Sequence, residues 1–222
     1  MFAKTLSSMK HFIYLTYLIS LTFFASPAVA QQDYKAITNT TALQQTFSQK
    51  VASTTSIESN FTQVKKMKLL KEQLQSTGKF YYKKDQKVRI EYLKPFNYLV
   101  VLNKGQLFVK DNQGKGNKIN TKNSKSMKAI NQIMMDCMSG NIFNNTDFSV
   151  ASSENTTSYL LKLTPKTADV KSMFQNIEVY FDKKNIQIQR LIMNENNGDQ
   201  TDMKFKDIKT NLNLADALFQ TR

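Results

Sequence analysis

The chain has 222 residues, a formal net charge of +14 and one histidine, His11. That histidine falls in a stretch that reads as an export leader, so the mature protein has no imidazole for acid–base work or metal ligation. The single cysteine, Cys137, excludes an internal disulfide, and a disulfide-free exported protein must be held together by packing.

Lys4 and Lys10 form a positive n-region, residues 13–24 an apolar h-region, and Ala28-Val29-Ala30 a small-residue cleavage site. The apolar run, about 12 residues, is short of the roughly 20 that span a bilayer as a helix. Cleavage after Ala30 leaves residues 31–222 as a single domain with a substantial core, and loss of the two lysines takes +14 to +12. No cysteine stands at Gln31, so the expected product is an unlipidated, soluble protein of the periplasm. Its cations are nearly all lysines, scattered along the chain; after the leader the arginines are Arg89, Arg190 and Arg222. Recognition of nucleic acid leans on arginine forks, so no nucleic-acid partner is expected. A solvated exterior is the simplest reading of the charge; transient contact with an anionic membrane surface or an acidic partner is the alternative.

Residues 41–51 carry Leu43, Phe47 and Val51 at a spacing of four, one face of a helix that Thr40 or Thr41 would cap. From Ile57 the period becomes two. Ile57, Phe61 and Gln63 share one side of a first strand, and Phe80 and Tyr82 one side of a second over residues 76–83. Strands over 87–93, 98–102 and 106–111 continue the meander through turns at Asp85, at 103–105 and at 113–114. Residues 124–138 return to helical spacing, with Met127, Ile130, Met134, Cys137 and Met138 on one stripe and Gly140 placed to end it. Strands over 148–152, 158–164, 176–182, 186–194 and 201–208 follow, interrupted by a short helical or irregular piece at 168–173. About ten antiparallel strands with two separate amphipathic helices specify an α+β fold. A sheet that wide tends to curl, and helices across its concave side would enclose apolar space.

The strands have two faces. Val88, Ile90 and Tyr92 alternate with Arg89 and Glu91; Val179 and Phe181 alternate with Glu178; Met203 and Phe205 alternate with Asp202, Lys204 and Lys206. Arg89 is accordingly expected on the solvent face, beside a neighbouring acid. Whether the apolar face closes on a dry core or lines a hollow stays open at this level. Methionines cluster at 127, 134, 135 and 138, and such residues re-pack around varied apolar partners.

Catalytic machinery is not legible. Ser76-Thr77-Gly78-Lys79 fits S-x-x-K without its companion motifs and reads as a turn at a strand entry. Cys137 has no histidine to activate it and sits on the apolar stripe. Gly114-Lys115-Gly116 lacks the rest of a phosphate loop. The expectation is a non-enzymatic protein without cofactor or metal.

An ordered series of short motifs resembles the periplasmic outer-membrane lipoprotein carrier family. It comprises Phe61-Thr62-Gln63, Gly78-Lys79-Phe80-x-Tyr82, Val88-Arg89-Ile90-Glu91-Tyr92-x-x-Pro95, Leu163-Thr164-Pro165, the run from Ile177 to Phe181, and Ala217-Leu218-Phe219. The resemblance implies an open, strongly curved antiparallel half-barrel covered on its concave side by a helical lid. It also implies a cavity that shelters the acyl chains of lipoproteins carried from the inner to the outer membrane. The lining would come from Leu43 and Phe47 on the first helix and from Met127, Ile130, Met134 and Met138 on the second. The sheet would add Phe61, Phe80, Tyr82, Val88, Ile90 and Tyr92, with Val179, Phe181, Met203 and Phe205 from its later strands. Implied partners are acylated lipoproteins, an inner-membrane release complex and an outer-membrane acceptor, met by a monomer. Where relatives carry an Arg-Pro pair whose arginine helps hold the lid, this chain has Lys84-Asp85, which makes Lys84 the candidate latch. Carriage of free lipid or another hydrophobic ligand, or a sensor or scaffold on the same half-barrel, are the alternative functions.

Overall fold

A computed structural model describes residues 33–111, 113, 116–120, 132–138 and 140–220. The expected leader, and Met127 and Ile130 of the expected second helix, lie outside the described residues. The unit from Tyr34 to Arg222 is built on one 12-stranded sheet, antiparallel at every pairing. Its strands are β1 (Lys35–Ala36), β2 (Ser56–Met67), β3 (Glu72–Lys83), β4 (Lys87–Lys94), β5 (Tyr98–Asn103) and β6 (Gln106–Lys110). They continue as β7 (Gly116–Asn120), β8 (Phe148–Glu154), β9 (Ser158–Pro165), β10 (Phe174–Asp182), β11 (Ile188–Glu195) and β12 (Gln200–Thr210). Two meanders, β2 to β7 and β8 to β12, join where β12 pairs with β2. The outermost strands, β1 and β7, do not pair with each other, so the sheet stays open. Register shifts at Thr77/Gly78, Phe174/Asn176, Tyr180/Phe181 and Lys206/Lys209 add local bend and twist. The result is an open, curved antiparallel half-barrel with helices packed on its concave face.

Those helices are α1 (Thr40–Ala52), α2 (residues 132–138) and the short α3 (Ala168–Lys171). Asn39, not Thr40 or Thr41, caps α1: its side chain accepts the Ala42 N–H at 3.4 Å. Leu43 and Phe47 are the buried residues of α1, and Gly140, at φ +72°, takes the left-handed conformation just after α2.

Further expectations are corrected here. The sheet has two strands more than the alternation suggested, β1 and β7. The Ser76–Lys79 segment is not a turn but lies inside β3, where a Cβ on Gly78 would come within 1.9 Å of the Glu91 carbonyl oxygen and 2.7 Å of the Phe61 ring. Gly78 is there because a backbone and a ring both approach it. The outer face, finally, is not wholly wet. Tyr81, Val101 and Phe108 point outward and are buried with Leu214 and Phe219, so the C-terminal segment folds back over β3, β5 and β6. Arg89 lies beneath that segment and not on a solvent face. It donates from Nη1 to the Leu218 carbonyl at 2.9 Å and pairs with Glu91, as expected of a neighbouring acid.

Candidate functional site, the seam between sheet and helices

The apolar face of α1 rests on the later strands through aromatic rings. Phe47, fully buried, meets Phe181 at 4.8 Å, Phe143 at 5.4 Å and Tyr159 at 6.0 Å between centroids, the first two edge to face. From α2, Ile133, Met134, Cys137 and Met138 are buried in the same cluster, and Met135 is half-buried against it. On the sheet side Phe80 packs edge to face on Phe205 at 5.5 Å, and Phe61 on Tyr92 at 5.1 Å.

All the expected lining positions among the described residues fall in this one cluster. Leu43, Phe47, Phe61, Phe80, Tyr82, Val88, Met134, Met138, Val179, Phe181 and Met203 are buried there; Ile90, Tyr92 and Phe205 are half-buried against it. Met127 and Ile130 are outside the described residues. Lys84 is exposed in the β3–β4 turn, where its N–H donates to Thr55 O at 2.8 Å, and its ammonium makes no ion pair among the described residues.

Polar groups inside the seam are few and mostly bonded. Tyr92 donates its hydroxyl to Gln63 Oε1 at 2.9 Å; burial, helped by neighbouring Tyr98, pushes its pKa up to about 12. Burial, and then the Asp136 carboxylate, raise the Cys137 pKa far above the ordinary thiol value, so Cys137 stays a protonated packing residue. Asp136 is buried and accepts hydrogen bonds from Gln132 at 2.8 Å and from the Asn145 amide, tying α2 to the short 3₁₀ turn Asn141–Asn144 and the residue after it. Nothing in the sequence marked this carboxylate, because it interrupts an otherwise apolar stripe. Ser59 is buried too, and its hydroxyl has no hydrogen-bond partner among the described residues.

Ser59 borders a hollow of about 20 Å³ between β2, β3, β11, β12 and α2, with Phe80, Met138, Ile188 and Phe205 among its walls. Ligand pockets run to several hundred Å³, so this hollow admits a methyl-sized group and no more. A larger cleft, about 360 Å³, opens at the far end of β4 and β5. Arg89, Glu91, Lys110 and Asp111 mix both charges into its walls beside Tyr92, Leu93 and Tyr98, which suits a hydrated surface better than hydrocarbon.

A family model described as "Outer membrane lipoprotein carrier protein LolA" matches residues 52–222. Among solved structures, an uncharacterized conserved protein from Thermus thermophilus is 13% identical with a TM-score of 0.50, over 82% of this chain and 94% of that one. A DUF1329 family protein from Desulfovibrio piger is 15% identical with a TM-score of 0.48, over 81% and 95%. A LolA superfamily protein from Nitrosomonas europaea is 12% identical with a TM-score of 0.44, over 80% and 97%. No curated protein matches the chain. At these identities the structural likenesses speak to fold alone.

Proposed function

This chain belongs to the outer membrane lipoprotein carrier family, LolA, and on that premise we propose that it is an exported, non-enzymatic carrier of lipoprotein acyl chains. In this reading the leader is removed after Ala30, and the 31–222 domain works in the periplasm. It takes cargo from an inner-membrane release complex and delivers it to an outer-membrane acceptor. The observation that carries the reading is the seam itself. An apolar sheet face and two helices meet through flexible methionines and edge-on rings, with few polar groups to fix a headgroup.

The 20 Å³ hollow lies where α2 meets β2, β3 and β12. In this reading an acyl chain enters along that seam, where flexible methionines give way to it. Burial returns roughly 0.8 kcal/mol per methylene, so a chain of about fifteen methylenes supplies roughly 12 kcal/mol toward separating packed side chains. The closed seam is held by apolar packing of Phe47, Met134 and Met138.

The test is release. Inner-membrane vesicles carrying an active release complex from the same cell should yield soluble lipoprotein when the purified protein is added. If none is released, the lipoprotein reading fails. Native mass spectrometry of the protein isolated from cells separates the two cargoes: bound lipoprotein supports this reading, and bound free lipid alone replaces it.

A further inference from the structure

The β2–β3 hairpin outruns its neighbour. β4 ends at Lys94, opposite Thr77, while β3 reaches on to Glu72. Residues 72–76 of β3 therefore project past β4, roughly 17 Å at about 3.4 Å per residue. On the other flank β12 follows β2 only as far as Lys66. Beyond both, the turn at 68–71 presents Leu69, 91% exposed, and Leu70, 59% exposed.

The turn is held at its base. Lys68 N–H donates to Asp199 Oδ1 at 3.0 Å, and the Lys68 stem lies across Gly198, where a Cβ would come within 2.3 Å of its Cδ. Two leucines fixed outward on a supported turn are not a frayed end. At the same end of the sheet Leu93, near the end of β4, and Phe96, on the β4–β5 connection, are exposed, Phe96 to 62%. Large apolar groups gathered in water mark an interaction surface. Lys66, Lys68 and Lys71 stand exposed around the leucines, with the carboxylate of Glu72 next to Lys71, and Lys94 is exposed beside Phe96. None of these lysines makes an ion pair among the described residues, whereas Lys65, one residue inward, is paired with Glu195 at 3.3 Å.

We propose that this end of the hairpin docks on an anionic phospholipid surface, with Leu69 and Leu70 entering the interface and Lys66, Lys68 and Lys71 meeting the headgroups. Apolar groups ringed by lysines complement a bilayer, whose greasy layer lies under negative charge. The inference rests on the carrier reading for its purpose, since it names the membrane chemistry at which cargo changes hands, but its test needs no lipoprotein.

The chain has no tryptophan, so Leu69→Trp supplies a single fluorescent reporter. The mature protein, residues 31–222, is mixed with phosphatidylethanolamine vesicles containing phosphatidylglycerol, or with phosphatidylcholine vesicles. The expected result is co-sedimentation with the anionic vesicles, weakened by salt, with a blue shift of the tryptophan emission. Leu69→Ser/Leu70→Ser and Lys66→Glu/Lys71→Glu should each lower the partition coefficient at least tenfold while binding a fluorescent fatty-acyl probe as before. No co-sedimentation, equal binding to phosphatidylcholine, or wild-type partition of the serine variant would overturn the proposal. Acyl-probe binding by the unmodified protein is the separate control: its absence counts against the carrier reading, not against docking.

Discussion

Ser59→Val tests whether the seam opens. Ser59 faces Met138 across the 20 Å³ hollow, with its hydroxyl unpartnered among the described residues. Removing a buried unsatisfied hydroxyl recovers about 1–3 kcal/mol, and an added buried methyl brings about 0.8 kcal/mol. Valine also suits a strand. The closed seam should gain about 2 kcal/mol, which for a domain of this size raises Tm by roughly 4–8 °C. If hydrocarbon must part the same seam, that gain is lost from binding, and acyl affinity should fall roughly thirtyfold. Thermal unfolding followed by circular dichroism, and titration with a fluorescent fatty-acyl probe, read the two effects on one sample. A lower Tm would mean that the hydroxyl is bonded and the hollow already in use. A higher Tm with unchanged affinity would mean that hydrocarbon enters elsewhere, and would refute the seam mechanism.

Further outcomes follow from the same contacts. Ile90→Glu and Met134→Glu put a carboxylate against the seam, and each should weaken acyl-probe binding at least tenfold, while outward-facing Lys79→Glu leaves the titration unchanged. Gly78→Ala drives a methyl into the Glu91 carbonyl and the Phe61 ring, so urea unfolding should register a loss of about 3 kcal/mol or more. Arg89→Ala frees the Leu218 carbonyl and should cost about 1–2 kcal/mol by the same measurement, with faster amide exchange confined to the C-terminal segment. Hydrogen bonds from Lys83 and Lys87 hold the Asp216 carboxyl at about 2, down from its usual value near 4. A depressed carboxyl stabilises the fold above its unfolded pKa and ceases to as pH falls through the folded one. Hydrogen exchange in residues 212–219 should therefore accelerate beyond the intrinsic pH trend between pH 4 and 2, and Asp216→Asn should remove that excess.

The inner face was legible because its alternation is strict. Val88, Ile90 and Tyr92, or Val179 and Phe181, have charged or polar neighbours, and such strands can face the core only one way. The outer cluster was missed although a signal existed. Leu99-Val100-Val101-Leu102 and Leu107-Phe108-Val109 do not alternate, and unbroken apolar runs mean burial on both faces. The alternation within β4 places Arg89 outward but carries no information about what covers that face. Leu218 and Phe219, the residues that cover it, lie far along the chain, and no local period announces where such a segment lands. S-T-G-K has turn composition, whereas Gly78 is required by a ring and a carbonyl that approach from neighbouring strands. The apolar positions of the seam follow from period, whereas the size of the hollow at Ser59 is set by how side chains interlock.

The most direct measurement places a photo-reactive benzophenone side chain at Ile90, at Met138 or at outward Lys79 and irradiates each protein with triacylated lipoprotein bound. The acyl chains should be captured from positions 90 and 138 and not from 79. Capture at 79 alone, or at none of the three while lipoprotein remains bound, would contradict an acyl site between sheet and lid.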